Sequence, residues 1–224
     1  EDGTLWIVFN GEIYNYLELR EELTEKGHHF HSQSDTEVIL HAYEEWGAEC
    51  LSRFNGMWGF AILDEKRNEL FCARDRFGIK PFYYAVIDGS FFFASEIKAL
   101  LAHPGIGLQP DDATLGTYLA WGVQDHSGRT MFDGILQLEP AHAMLVTDHG
   151  PKTPFRYWGV GVNPEISSNG TDEATASKLR DKLVDATRIH LRSDVAVGTC
   201  LSGGIDSTTL TAIINSLIRN EAPA

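Results

Sequence analysis

Cysteine is scarce in this chain, and so is positive charge. The 3 cysteines among 224 residues, Cys50, Cys72 and Cys200, form neither an even disulfide framework nor a metal-ligand spacing, which excludes a disulfide-stapled secreted fold and a Cys-rich zinc module. Reduced thiols in cytoplasm are the simplest reading. Lys and Arg number 18 against 32 Asp and Glu, a net charge of -14. That field repels polyphosphate backbones, and no basic stripe interleaved with aromatics offsets it, so nucleic acid is excluded as a partner. A nucleotide, if bound, must be held by backbone amides and a metal ion. No apolar run approaches the roughly 20 residues of a membrane span. The longest, Met57 to Leu63 and Phe91 to Ala94, have strand length. No internal repeat is evident, and the chain starts at Glu1 rather than Met, as is expected of a fragment, which leaves a signal peptide undecided.

The remainder is ordinary globular material, enough for one large domain or one and a half. Leu5 to Phe9 form a nearly continuous apolar run, expected of a strand buried on both faces and ending at Asn10, Gly11 and Glu12. Asn15 with Glu18, and Ser34 with Glu37, predict capping boxes for two amphipathic helices that stop at Gly27 and Gly47. Asp35 then lies in a first helical turn. Between these helices His28, His29 and His31 read as loop histidines, because no carboxylate or cysteine joins them at ligand spacing.

From Met57 the period changes to two. Met57 to Leu63 with Leu70 to Ala73, then Phe82 to Ile87 with Phe91 to Ala94, predict two hairpins in one antiparallel sheet, the second closed by a type I′ turn at Asp88 and Gly89. The charge-dense connection Arg74 to Pro81 reads equally as a solvated turn with internal ion pairs or as a functional segment. Ser95 is expected to cap a helix from Glu96 to about Leu101, and Asp111 or Asp112 to start another through Leu119. Weaker strands follow at Ile135 to Leu138 and Ala143 to Val146. Residues 160–171 form a Pro, Ser, Asn and Gly-rich linker, after which Asp172 to Arg192 is a charged amphipathic helix.

Near the end, Val195 to Leu201, then Ser202-Gly203-Gly204-Ile205-Asp206-Ser207, then Leu210, Ile213, Ile214, Leu217 and Ile218 at helical spacing read as strand, tight turn and helix. Adjacent glycines bring several N–H groups to one place, and the helix start adds its dipole, so the turn is a seat for an anion such as pyrophosphate. Asp206 is placed as an N-cap and as a ligand for Mg2+.

Four motifs in order, Phe9-Asn10-Gly11-Glu12-Ile13-Tyr14-Asn15, Ser34-Asp35-Thr36-Glu37, Arg74 to Pro81 and Ser95 to Leu100, resemble the amidotransferase domain of glutamine-dependent asparagine synthetases. Ser202 to Ser207 resembles the pyrophosphate loop of their synthetase domain. The resemblance implies an α+β N-terminal nucleophile amidotransferase, an αββα sandwich here N-terminally truncated, over residues 1–159. Residues 172–224 would then start an α/β adenine-nucleotide-binding domain. In that family an N-terminal cysteine attacks the glutamine carboxamide, and neither Cys50 nor Cys72 can inherit that role. The chain as it stands is therefore expected to be inactive.

By resemblance, the Asn10 side-chain amide and the Gly11 N–H form the oxyanion hole. Glu12 belongs to the same glutamine-binding turn, and Asp35 receives the substrate ammonium. Cys200 and Leu201 line the adenine side of an ATP site. Ser202, Gly203, Gly204 and Ser207 cradle its pyrophosphate, and Asp206 bears on Mg2+. The implied reaction amidates aspartate through a β-aspartyl-AMP intermediate, with glutamine and ATP as the other substrates and a homodimer as an allowed assembly. Relatives that amidate another carboxylate or close a β-lactam, and a non-catalytic cysteine-less relative, are the alternatives. Pro140-Ala141-His142 departs from the family's usual Pro-Gly-His, and the added Cβ is expected to shift that turn.

Overall fold

A computed structural model of the chain describes residues 3–161 and 172–221. It divides into two compact units, Glu1–Val160 and Gly161–Ala224. The linker expected over residues 160–171 lies almost entirely outside the described residues.

In the first unit β1 (Leu5–Ile13) leads to α1 (Tyr16–Glu25) and α2 (Asp35–Trp46), then to a 3-10 turn (Gly47–Glu49) and the short α3 (Cys50–Arg53). Two hairpins follow, β2 (Gly56–Asp64) with β3 (Glu69–Arg74) and β4 (Tyr83–Ile87) with β5 (Ser90–Ala94). The single turn α4 (Ile97–Leu100) and α5 (Asp112–Trp121) precede β6 (Leu136–Gln137), β7 (His142–Thr147), β8 (Gly150–Pro151) and β9 (Phe155–Arg156).

The hairpins do not share one sheet. β1-β2-β3-β7-β8 form the first sheet, with β9 also on β7, and β5-β4-β6 form the second. The connection between the hairpins is anchored inward at Arg74 and Asp75, although Phe77 and Ile79 along it are exposed. Asp75 is fully buried, and its carboxylate accepts hydrogen bonds from the N–H groups of Trp58, Phe77, Ile79 and Lys80 at 3.2, 3.0, 3.0 and 2.9 Å. The buried Arg74 guanidinium donates to the carbonyls of Lys80, Leu138 and Gly78 and to Gln137 Oε1. With both charges consumed by backbone, the chain turns out of the first sheet and begins the second.

Alternation along the strands builds a layered core. Trp58, Phe60, Ile62 and Phe71 face α1, α2 and α3 through Leu19, Leu23, Val38, Ile39 and Leu51. Ala61, Cys72 and Met144 face the second sheet through Phe82, Tyr84 and Leu138. α4 packs on the outer side of that sheet against β4 and β5. β2 and β3 are thus covered on both faces, whereas β1 is not. Trp6 and Val8 are 59% and 64% exposed, so β1 is a half-buried edge strand rather than the doubly buried one that its composition suggests. It also runs through Asn10, Gly11 and Glu12, pairing them with Gly59, Trp58 and Met57.

Several caps differ from expectation. Asn15 makes no helix-capping bond but bridges to residues near β2, donating to the Arg53 carbonyl and accepting from the Asn55 N–H. Ser34 does cap α2 through the Thr36 N–H, while Glu37 binds His31 and Ser32 instead of returning to Ser34. Asp88 and Gly89 have φ of 49° and 79°, as a type I′ turn requires.

The second unit contains α6 (Asp172–His190) and α7 (Ile205–Glu221), with an apolar groove of about 720 Å3 between them, lined by Leu179, Leu183, Ile205 and Ile213. Val195 to Leu201 is not a strand. Val195, Val197 and Leu201 are 75%, 51% and 62% exposed; a strand exists only by pairing, and no described strand of this unit is there to pair with it. No helix among the described residues is long and apolar enough to cross a membrane.

Candidate functional site

The end of β1 gathers three of the four residues expected to meet glutamine. Gly11 is required by packing: a Cβ there would sit 2.2 Å from the Met57 carbonyl oxygen and 2.8 Å from Trp58 Cα. The strand can hold Gly11 against β2 only without a side chain. Asn10, beside it, is partly buried, and its Nδ2 donates to Ser95 Oγ at 3.2 Å. Ser95 follows β5, so this bond joins the first sheet to the end of the second. It also corrects the expected role of Ser95, since α4 begins after Glu96 with no side-chain cap. An amide nitrogen carries two hydrogens, so one of the Asn10 donors remains for another acceptor.

Asp35 is brought to the same place. As the first residue of α2, it accepts the Ile13 N–H on Oδ2 at 2.9 Å, one residue beyond Glu12. Its Oδ1 has only the hydroxyls of Ser34 and Thr36, both at 3.4 Å, which leaves acceptor capacity on an ionised carboxylate. The Glu12 charge lies close enough to Tyr14 to add to burial in raising that phenol above its usual range. An amide donor, a glycine backbone and two carboxylates thus occupy one strand end and the helix start tied to it. Such a set can stabilise a developing oxyanion and hold an ammonium.

This unit's two thiols play no part there. Cys50 and Cys72 are fully buried; burial pushes the Cys50 thiol up to about 12 and raises Cys72 as well. Neither supplies a thiolate at neutral pH.

The second set lies in the second unit. Gly203 has φ of 85°, and the Ser202 and Ser207 hydroxyls meet at 3.0 Å across the turn. Ser207 Oγ also donates to the Gly204 carbonyl at 3.1 Å. α7 starts at Ile205, so Asp206 sits exposed within its first turn rather than at the N-cap. No atom approaches within 4 Å of a Cβ built at Gly203. The open glycine backbone ahead of a 17-residue helix fits an anion's chemistry, and Asp206 is a suitable oxygen donor for Mg2+. Cys200 and Leu201 are exposed beside it.

Sequence reasoning missed Ser95 as the partner of Asn10. Its motif was visible, but a serine before a helix reads first as a cap. It also left open the Arg74 to Pro81 connection, whose buried Asp75 holds the Trp58 N–H on the strand opposite Gly11.

Residues 1–158 match the family described as glutamine amidotransferase domain, and residues 178–222 match the asparagine synthase family. Asparagine synthetase [glutamine-hydrolyzing] 3 of Bacillus subtilis is 44% identical over 99% of this chain and 35% of its own length. Asparagine synthetase [glutamine-hydrolyzing] 1 of the same organism is 38% identical over 95% of this chain and 33% of its own. The chain thus spans about a third of these relatives. Among solved structures, glutamine phosphoribosylpyrophosphate amidotransferase from B. subtilis is similar with a TM-score of 0.50 at 19% identity, covering 96% of this chain and 45% of that one.

Proposed function

Since the chain belongs to the asparagine synthetase family and its first unit has the N-terminal-nucleophile amidotransferase fold, we propose that it supplies the glutamine site and the start of the ATP site of an enzyme converting aspartate to asparagine. The observation that carries this reading is the Ile13 N–H bond to Asp35, 22 residues away, which brings the start of α2 to the strand end that carries Asn10, Gly11 and Glu12. In this reading Asp35 receives the glutamine α-ammonium. Asn10 and Gly11 donate to the oxygen that becomes negative as the carboxamide is attacked, and Ser95 holds the Asn10 amide in place.

The second unit serves the acceptor half. Ser202, Gly203, Gly204 and Ser207 hold the polyphosphate of ATP, Cys200 and Leu201 lie beside adenine, and Asp206 helps to hold Mg2+, which neutralises phosphate charge when bound. A carboxylate is a poor electrophile, so aspartate is adenylated and ammonia from the glutamine site displaces AMP.

In the enzyme carrying this chain, Asn10→Ala is expected to slow glutamine hydrolysis by about 10²- to 10³-fold while leaving amidation with free ammonia intact. Asp206→Asn has the opposite pattern. Unchanged glutamine turnover in Asn10→Ala removes that residue from the site, and equal loss of both activities contradicts two separate sites. AMP formation with aspartate, compared with other carboxylic acids, tests the acceptor.

A further inference from the structure

The histidine segment after α1 acquires on folding the carboxylate that it lacks in sequence. His28 lies two residues beyond the Lys26 cap of α1, while His41 and Glu44 stand one turn apart on α2. His28 Nδ1 is 3.1 Å from His41 Nδ1, and each of these nitrogens is 3.7 Å from Glu44 Oε2. A tetrahedral zinc ion with bonds of about 2.0 to 2.1 Å separates its ligand atoms by about 3.3 to 3.4 Å, a spacing that the triangle brackets. We propose that His28, His41 and Glu44 bind a divalent transition-metal ion, Zn2+ by ligand type, with solvent in the fourth position.

The surroundings are those of a metal centre as well. An imidazole that binds metal through Nδ1 carries its proton on Nε2 and donates it to a carboxylate, a backbone carbonyl or water. Here His28 Nε2 is 3.3 Å from Glu45 Oε2, within hydrogen-bond reach, and the Glu37 carboxylate stands 3.8 Å from His41 Nε2, an ion-pair distance. Both carboxylates are themselves fixed. Lys26 Nζ meets Glu45 Oε1 at 2.9 Å, and Glu37 accepts the N–H groups of His31 and Ser32 and the Ser32 hydroxyl, each at 2.7 Å. The edge of the Phe30 ring against His41, with centroids 4.6 Å apart, sets that imidazole's plane.

The three ligands differ in exposure. The His41 side chain is 6% exposed and that of His28 12%, whereas that of Glu44 is 45% exposed. A cavity of about 110 Å3 adjoins two of the three ligands, His41 and Glu44, with Glu37 and His31 also in its lining. Two imidazoles and one carboxylate select Zn2+ over the oxygen-seeking Mg2+ and Ca2+. The ion would staple the segment after α1 to α2, the helix that carries Asp35.

The test is calorimetric titration of the chelator-stripped protein with Zn2+, alongside Co2+ titration followed by visible absorption. One equivalent of Zn2+ per chain, micromolar or tighter, and the intense bands of tetrahedral Co2+ are expected. His28→Ala and Glu44→Ala, at positions where circular dichroism can verify that the fold survives, should each weaken binding at least about 10-fold, and Glu45→Gln about 10-fold through the outer shell. His29→Ala should leave it unchanged. No stoichiometric binding, or wild-type affinity retained in His28→Ala or Glu44→Ala, overturns the site.

Discussion

Ala141 is held in a backbone conformation that its own side chain opposes. Its φ is 61°, it is 3% exposed, and two backbone bonds lock it, from its N–H to the Asp75 carbonyl at 2.9 Å and from the Tyr157 N–H to its own carbonyl at 2.9 Å. These bonds hold the turn in the left-handed region, and the Cβ is accommodated as strain of about 1 to 2 kcal/mol. Glycine relieves that strain but gives the unfolded chain more freedom, an offset of about 0.4 to 1 kcal/mol. Ala141→Gly is accordingly expected to stabilise the first unit by about 0.5 to 1 kcal/mol, read as a higher urea midpoint at constant slope; a lower midpoint would mean that the buried methyl's packing outweighs the strain. The departure from Pro-Gly-His was legible in the sequence, whereas the φ that gives it meaning was not. Asn10, Gly11, Glu12 and Asp35 stand out in the sequence for a similar reason, as polar residues and a glycine at motif positions, but what brings Asp35 to the strand is a backbone N–H of Ile13 that no side-chain pattern announces. Asp75 was illegible as a buried anchor because a run of charges between strands ordinarily means solvent, and only the four inward-pointing N–H groups make its burial tolerable.

At the scale of elements, local chemistry specified what each segment is better than what it pairs with. α2, the Asp88-Gly89 hairpin and the Asp111 start of α5 follow from caps and turn residues within a few positions. The assignment of the two hairpins to two sheets depends on β7, which arrives some 70 residues after β3 begins and pairs with it from Leu70 to Ala73. No local pattern encodes that choice, just as none could show that Val195 to Leu201 has no strand to pair with among the described residues. α5 also allows a test by pH. Asp111 Oδ1 caps the helix through the Thr114 N–H at 2.8 Å, while Oδ2 pairs with the Arg129 guanidinium. The Arg129 hydrogen bond, helped by that of Thr114, holds the Asp111 carboxyl down at about 2. A carboxylate held below its ordinary value of about 3.9 stabilises the fold fully above that pH and loses the contribution as pH falls toward and through the folded value. Asp111→Asn keeps the cap acceptor and removes the charge. Melting temperatures of the two proteins should differ most above about pH 5 and converge as pH falls through about 2, and a gap independent of pH would deny the ion pair any role in stability.

Across the whole molecule, apolar burial is unevenly shared between the units. Both clusters of buried hydrophobic residues lie in the first unit, and that unit closes its own hydrogen-bonded knot around Arg74 and Asp75. In the second unit Leu179, Leu183, Val195, Val197, Leu201, Ile205, Leu210 and Ile218 remain exposed to varying degrees, Ile205 at 82%. Two helices joined without a strand bury too little apolar area to offset the entropy of ordering them, which is about 1 to 2 kcal/mol per residue for backbone alone. Cooperative stability must then reside in the first unit. A protein comprising residues 1–160 is expected to melt within about 3 °C of the 224-residue chain, because a change below about 1 kcal/mol moves a domain of this size by no more than that. Residues 172–221 alone should give weak helical circular dichroism without a sharp transition. The comparison is decided by scanning calorimetry of the three species at equal pH and salt. Loss of the cooperative transition from residues 1–160, or a separate cooperative transition in residues 172–221, would show that stability is distributed across the molecule and that the exposed apolar residues of α6 and α7 have a partner the first unit's core does not require.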